Sequence, residues 1–366
     1  MLKKIIFVLC FVFSIQANAQ NYNLLIGTYT NKGTSEGIYV YDFNAKTAET
    51  KLKSTTKTIN PSYLTVSKDK KFVYSVNQDA KNSTVSSFGF NGKSGELSFL
   101  NKKSAAGEDP CFIIADEKNV IIANYSSGNI SVLGRNTDGS LTDLKQTIQH
   151  TGRSIDPKRQ LSAHVHQVQF TPDKKFLISN DLGEDQIYIY NYNPASAKEA
   201  LNVKAVIKTN AGTGPRHLAI SNNGNFAYLA HEFNGSITAF ANLKGNLTKI
   251  QEIGTTPKDF TGKIDGADIH VSPDGKFLYE SNRGDLNTIN LFAIAADGTL
   301  TFIEAVSTLG KGPRNFSIDP SGNFLLVAHQ YTNDVVIFNR DKTTGKLKDS
   351  GKRINVGVPV CLVFSK

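Results

Sequence analysis

The chain is 366 residues long, 39% hydrophobic and 20% charged, with a mean hydropathy of −0.26 and a formal charge of +9, a balance that excludes both a membrane-embedded body and a disordered chain. Trp is absent and Met occurs once, whereas Gly (29), Phe (22) and Tyr (13) are plentiful, the usage of many short strands joined by tight turns. The basic residues are scattered through turns such as Ser67-Lys-Asp-Lys-Lys71 rather than gathered into a phosphate-tracking stripe, so nucleic acid is not an expected partner and a small anionic molecule is.

The chain opens with Met1-Leu-Lys-Lys4, an apolar run from Ile5 to Ile15, and Ala17-Asn-Ala19. These are the charged start, short apolar core and A-x-A cleavage site of an export signal, and the run is too short to span a bilayer. Cleavage is expected after Ala19, with a periplasmic or secreted destination and residues 20–366 as one domain. Only Cys111 and Cys361 lie beyond that point; two Cys in so long a chain make no disulfide framework and are expected as buried small side chains.

Next in chain order come two apolar segments, Leu24 to Tyr29 and Gly37 to Phe43, and then a repeat. Pro61-Ser-Tyr-Leu-Thr-Val-Ser-Lys-Asp-Lys-Lys-Phe72 returns as Pro215-Arg-His-Leu-Ala-Ile-Ser-Asn-Asn-Gly-Asn-Phe226 and Pro313-Arg-Asn-Phe-Ser-Ile-Asp-Pro-Ser-Gly-Asn-Phe324. Other copies start at Pro110, Val165 and Ala267, and a truncated one at Pro359, so the intervals are 49, 55, 50, 52, 46 and 46 residues. Each unit reads as an apolar strand, a Ser-Pro-Asp-Gly type of turn, a second apolar strand, a third such as Ser236 to Phe240, and a weaker fourth such as Gly298 to Ile303. Four antiparallel strands per repeat make a propeller blade. The last unit has one strand, and the two apolar segments at the other end of the chain complete it. The expectation is an all-β, seven-bladed β-propeller closed by N- and C-terminal strands sharing one blade.

In such a hairpin the start of the first strand lies beside the end of the second. Aligning the repeats gives one ring at strand starts (Ser62, Cys111, His166, Arg216, Asp268, Arg314, Val360) and another at strand ends (Tyr29, Gln78, Tyr125, Leu182, Glu232, Arg283, Gln330). Both rings should surround one end of the central channel, so residues distant in sequence converge there. Arg216 with Glu232, and Asp268 with Arg283, are equally placed to form ion pairs within a blade. His164-Val-His166 has a spacing that metals use, but it lacks a third ligand, and no carboxylate cluster suits calcium; no metal or other cofactor is assigned. His217, His270 and His329 read as fillers between blades.

Ser162-Ala-His-Val-His-Gln167, Gly214-Pro-Arg-His-Leu218, His231-Glu232, the segment from Ala267 to Gly284 and that from Gly312 to Ala328 resemble the bacterial lactonase family of seven-bladed propellers, the 6-phosphogluconolactonase type, which is related to the fungal carboxy-muconate cyclase. The resemblance implies hydrolysis of a sugar-acid lactone. In its cyclase branch it implies a site of one His, two Arg and one Glu, which by motif fall on His166, Arg216, Glu232 and Arg283. Direct water attack is expected rather than an acyl-enzyme. His166 or Glu232 would act as general base and the other as proton donor, while Arg216 and Arg283 hold an anion or the oxyanion. Arg314, His164, Asp268 and Gln330 are expected as substrate-binding residues. The alternatives are a muconate-type cycloisomerase and a non-catalytic exported propeller that binds a ligand or protein.

Overall fold

The turn inside each hairpin is fixed by its own side chains. In Ser272-Pro-Asp-Gly275 the Ser272 hydroxyl donates to Asp274 (2.6 Å) and accepts from the backbone N–H of Phe277 (3.0 Å), while Gly275 adopts φ +73°. Ser67 with Asp69, Thr171 with Asp173 and Ser221 with Asn223 repeat the bond. A side chain that ties the turn to itself sets the hairpin register by local bonds, without a contribution from a neighbouring blade.

The computed structural model describes residues 20–366, without 243 and without the side chain of 242; the expected export signal lies outside the described residues. Seven four-stranded antiparallel sheets make up the described residues. Blade 1 combines Asn21–Thr28, Gly37–Asn44 and Thr50–Lys57 with the C-terminal strand Pro359–Ser365 as its innermost member. Its closure pairs Asn23 with Ser365 and Gly27 with Cys361. Blades 2 to 7 follow in chain order, with innermost strands Leu64–Val66, Pro110–Ala115, Val165–Phe170, Pro215–Ile220, Gly266–Val271 and Pro313–Ile318. The protein is a seven-bladed β-propeller.

Each of seven apolar clusters straddles two consecutive blades; Tyr74, Val76 and Val85 of blade 2, for example, pack on Ile113, Val120 and Leu133 of blade 3. A blade therefore buries both faces only when the ring is complete, which is what the shared blade achieves. The outermost strands bury only their first residue, mix half-buried and exposed residues after it, and carry the weakest sequence signal. Amide side chains clamp them together: Gln146 bonds both the carbonyl and the N–H of Leu201, and Gln251 does the same to Leu300. Cys111 and Cys361 are buried and unbridged. Among the described residues no helix is long and apolar enough to cross a membrane.

Candidate active site

A β-bulge stands at the start of the innermost strand in six of the blades. Val165 pairs with Asp181 and Gln167 with Asn180, so His166 is the extra residue. Cys111, Arg216, Arg314 and Val360 are the extra residues in blades 3, 5, 7 and 1. A bulge breaks the alternation of the pleat and re-aims one side chain. Here it turns the ring residues toward the axis.

The result is a funnel of about 440 Å³. The ends of second strands contribute Tyr29, Gln78, Tyr125, Glu232 and Arg283, the bulges Cys111, His166 and Arg314, and the loops Asp109, Ser126, Arg159 and Asp265. Arg216 lies just below, in a narrower cavity that shares His166 and Arg314 with the funnel. His166, Arg216, Glu232 and Arg283 are thus brought together.

Glu232 is the hub. Its Oε2 is 2.9 Å from Arg216 Nε and 3.1 Å from Arg283 Nη2, and its Oε1 is 2.5 Å from Arg159 Nη2. Burial opposes its ionisation, yet Arg283, Arg216 and Arg159 outweigh burial and bring its pKa down to about 2. A carboxyl so held is an anion at any physiological pH and a poor proton donor. Arg216 is fully buried, and burial with the neighbouring Arg283 lowers it to about 10. Its Nη1 donates to the Ala267 carbonyl, while Arg283 also binds Asp265 at 2.6 Å.

Both of these guanidiniums are committed to carboxylates, whereas Arg314 is not. Among the described residues its guanidinium has no ion pair or hydrogen bond, and it sits 5.8 Å above the Tyr29 ring. The expected ranking of the cations is therefore reversed: Arg314 has the free donors. His166 is buried, and burial followed by Arg216, His217, Arg314 and Arg283 pushes its pKa well below 6.5, so it is a neutral imidazole at neutral pH. Burial pushes the Cys111 thiol up to about 12, which leaves it inert as a nucleophile.

Three expected binding residues lie elsewhere. Asp268 does not line the funnel, nor does it pair with Arg283. In blade 6 Gly266 pairs with Asn282 and Ile269 with Glu280, so Ala267 holds the bulge position and Asp268 falls one residue later. One step along a strand reverses the face. Asp268 is buried against His217 (2.7 Å) and His270 (3.0 Å), so these two imidazoles are carboxylate partners rather than fillers. His164 stacks on Tyr125 at 4.5 Å and bonds the Tyr125 carbonyl through Nδ1, outside the funnel lining. Gln330 also lies outside it, with Oε1 buried and unpartnered among the described residues.

Sequence reasoning missed Arg159, Asp265, Asp109 and Ser126. Arg159 comes from the segment 151–164 between blades 3 and 4, which is braced by Asp156 accepting from the Lys158 and Arg159 N–H groups and by Gln160 donating to the Leu182 carbonyl. Its guanidinium rests 4.8 Å from the Phe233 ring. The one compact set of metal-type ligands among the described residues, His150, Asp181 and Glu184, is already engaged: both ring nitrogens of His150 are bonded, to Asp181 and Tyr190, and Glu184 binds Tyr188 and the Gly152 N–H.

Residues 23–364 match the family model described as lactonase, 7-bladed beta-propeller. The chain is 35% identical over 345 residues to a 6-phosphogluconolactonase of Bacillus subtilis, covering 93% of this chain and 97% of that one. It is 36% identical over 333 residues to one of Formosa agariphila, covering 89% and 94%. Among solved structures, the periplasmic gluconolactonase of Pseudomonas aeruginosa superposes with a TM-score of 0.91 at 36% identity, covering 95% of this chain and 99% of that one.

Proposed function

The chain belongs to the family of seven-bladed β-propeller lactonases, and on that premise we propose that it hydrolyses a sugar-acid lactone in the funnel, with His166 as general base. Lactone opening needs a group that takes a proton from water, positive charge where the carbonyl oxygen becomes anionic, and a proton for the departing ring oxygen. His166 suits the first task, because a neutral buried imidazole accepts a proton that a three-fold paired carboxylate does not. Arg314 suits the second. The proton gained by His166 goes to the ring oxygen, and the carboxylic acid formed loses the second proton of the attacking water to solvent, so that the product leaves as a hydroxy-carboxylate.

Glu232 in this reading neither donates nor accepts the proton; it holds Arg159, Arg216 and Arg283 in place around the substrate. The observation that carries the proposal is the pairing pattern: a neutral His166 and an unpaired Arg314 share one cavity in which the other guanidiniums are bound to carboxylates. Export through residues 1–19 belongs to the same reading and directs the enzyme to lactones outside the cytosol; N-terminal sequencing of the mature protein should begin at Gln20.

The test is a panel of glucono-, galactono- and phosphorylated lactones assayed in oxygen-18 water. Wild type should place one solvent oxygen in the product carboxylate, and His166→Asn should lose about 100-fold or more in kcat. Product without solvent oxygen would replace hydrolysis by intramolecular cycloisomerisation. An unimpaired His166→Asn would remove His166 from the chemistry.

A further inference from the structure

Below the funnel the channel narrows to a cavity of about 10 Å³, whose lining includes Ser62, His166, Arg216, His217 and Arg314. Three buried polar atoms on that lining have no partner among the described residues: Ser62 Oγ, His166 Nδ1 and His217 Nε2. The two imidazole rings stand edge to face with centroids 5.1 Å apart. A space of this size fits one water, and a buried water needs two to four polar partners. Three are provided.

His217 is fixed from its other side. Its Nδ1 lies 2.7 Å from Asp268 Oδ1, and the Asp268 carboxylate also accepts from His270 Nε2 (3.0 Å), the Ile269 N–H (3.0 Å) and Asn315 Nδ2. A carboxylate surrounded by donors stays ionised and accepts only. His217 Nδ1 therefore carries the proton and Nε2 the lone pair. Phe112 holds the ring edge-on at 5.3 Å.

We propose that one water bound between Ser62, His166 and His217 links Asp268 to the catalytic imidazole, and that this chain holds His166 in the tautomer with Nδ1 protonated and Nε2 free toward the funnel. The water donates to His217 Nε2 and Ser62 Oγ and accepts from His166 Nδ1–H. When Nε2 takes a proton from the attacking water, Nδ1–H stays in the chain, and the Nε2 proton then passes to the lactone ring oxygen. No proton leaves along the channel. Asp268 and His217 are positioning residues, and the anionic end of the chain offsets the guanidiniums of Arg216, Arg314 and Arg283 that face His166. The proposal rests on the reading of His166 as the base.

Nitrogen-15 NMR of the histidine-labelled mature protein tests it, because protonated and unprotonated ring nitrogens have separate shifts. His166, assigned by the signals lost in His166→Asn, is expected with Nδ1 protonated in the wild type at neutral pH. Asp268→Asn presents an amide N–H to His217 Nδ1. It should reverse both imidazoles and lower kcat by about 100-fold or more, with KM changed less than about threefold. If circular dichroism finds that variant unfolded, His217→Gln replaces it, with a mixed His166 tautomer expected. An Nε2-protonated His166 in the wild type, or an unchanged tautomer in a folded variant, overturns the proposal. Failure of the base assignment is read separately, from the activity of His166→Asn, since the spectra are recorded without substrate.

Discussion

Glu280 sits on the second strand of blade 6, opposite Ile269 and Asn290, and is only 1% exposed. Among the described residues no cation pairs with it; Asn290 donates to Oε2 at 2.7 Å, and Asn290 Oδ1 has no partner. Burial is the largest influence and raises its pKa from 4.5 to about 7. The folded state thus binds the Glu280 proton more tightly than the unfolded chain. Below pH 4.5 both states are protonated and there is no penalty. Between 4.5 and 7 only the unfolded state ionises freely, so stability falls as pH rises. Above 7 the full gap, at about 1.4 kcal/mol for each pH unit, is roughly 3 kcal/mol. Glu280→Gln keeps the volume, stays neutral, and offers an N–H to Asn290 Oδ1. Urea denaturation of the two proteins should therefore agree near pH 4.5 and diverge by roughly 3 kcal/mol in favour of Gln at pH 8. A difference of the same size at both pH values would refute the reasoning, since packing and not ionisation would then be its source.

Arg314→Met should cut kcat/KM for lactones by about tenfold or more with unchanged urea stability, because the guanidinium supports no partner; a fall in stability would mean that it is structural. Arg216→Met should do the opposite and cost about 3–5 kcal/mol, since it strips a buried partner from Glu232 and a donor from the Ala267 carbonyl. Gly345 adopts φ +74°, and a Cβ there would meet the Phe277 ring at 2.6 Å; Gly345→Ala should lower stability by about 1–3 kcal/mol in a thermal melt, and an unchanged melting temperature would argue against that contact.

The rings of polar residues were legible because bulge, strand end and turn recur in phase. The error at Asp268 has a traceable source in the same periodicity. Six residues separate Pro215 from Ser221 and Pro313 from Asp319, and the same count back from Ser272 reaches Gly266 rather than Ala267. A one-residue offset in a strand inverts every side chain, so the aspartate was assigned to the funnel when it belongs beneath it. Arg159 and Asp265 come from the two longest intervals, 55 and 52 residues. The extra length was visible, but an irregular segment has no period from which a direction could be inferred.

Periodicity alone determined the strands, the number of blades, the shared closing blade and the convergence of His166, Arg216, Glu232 and Arg283, because each follows from a local hairpin copied around an axis. Which cation is left unpaired, which carboxyl holds its proton near neutral pH, and which imidazole meets Asp268 were decided by tertiary structure. Charge state depends on burial and on neighbours from other blades, and those neighbours exist only once the ring has closed.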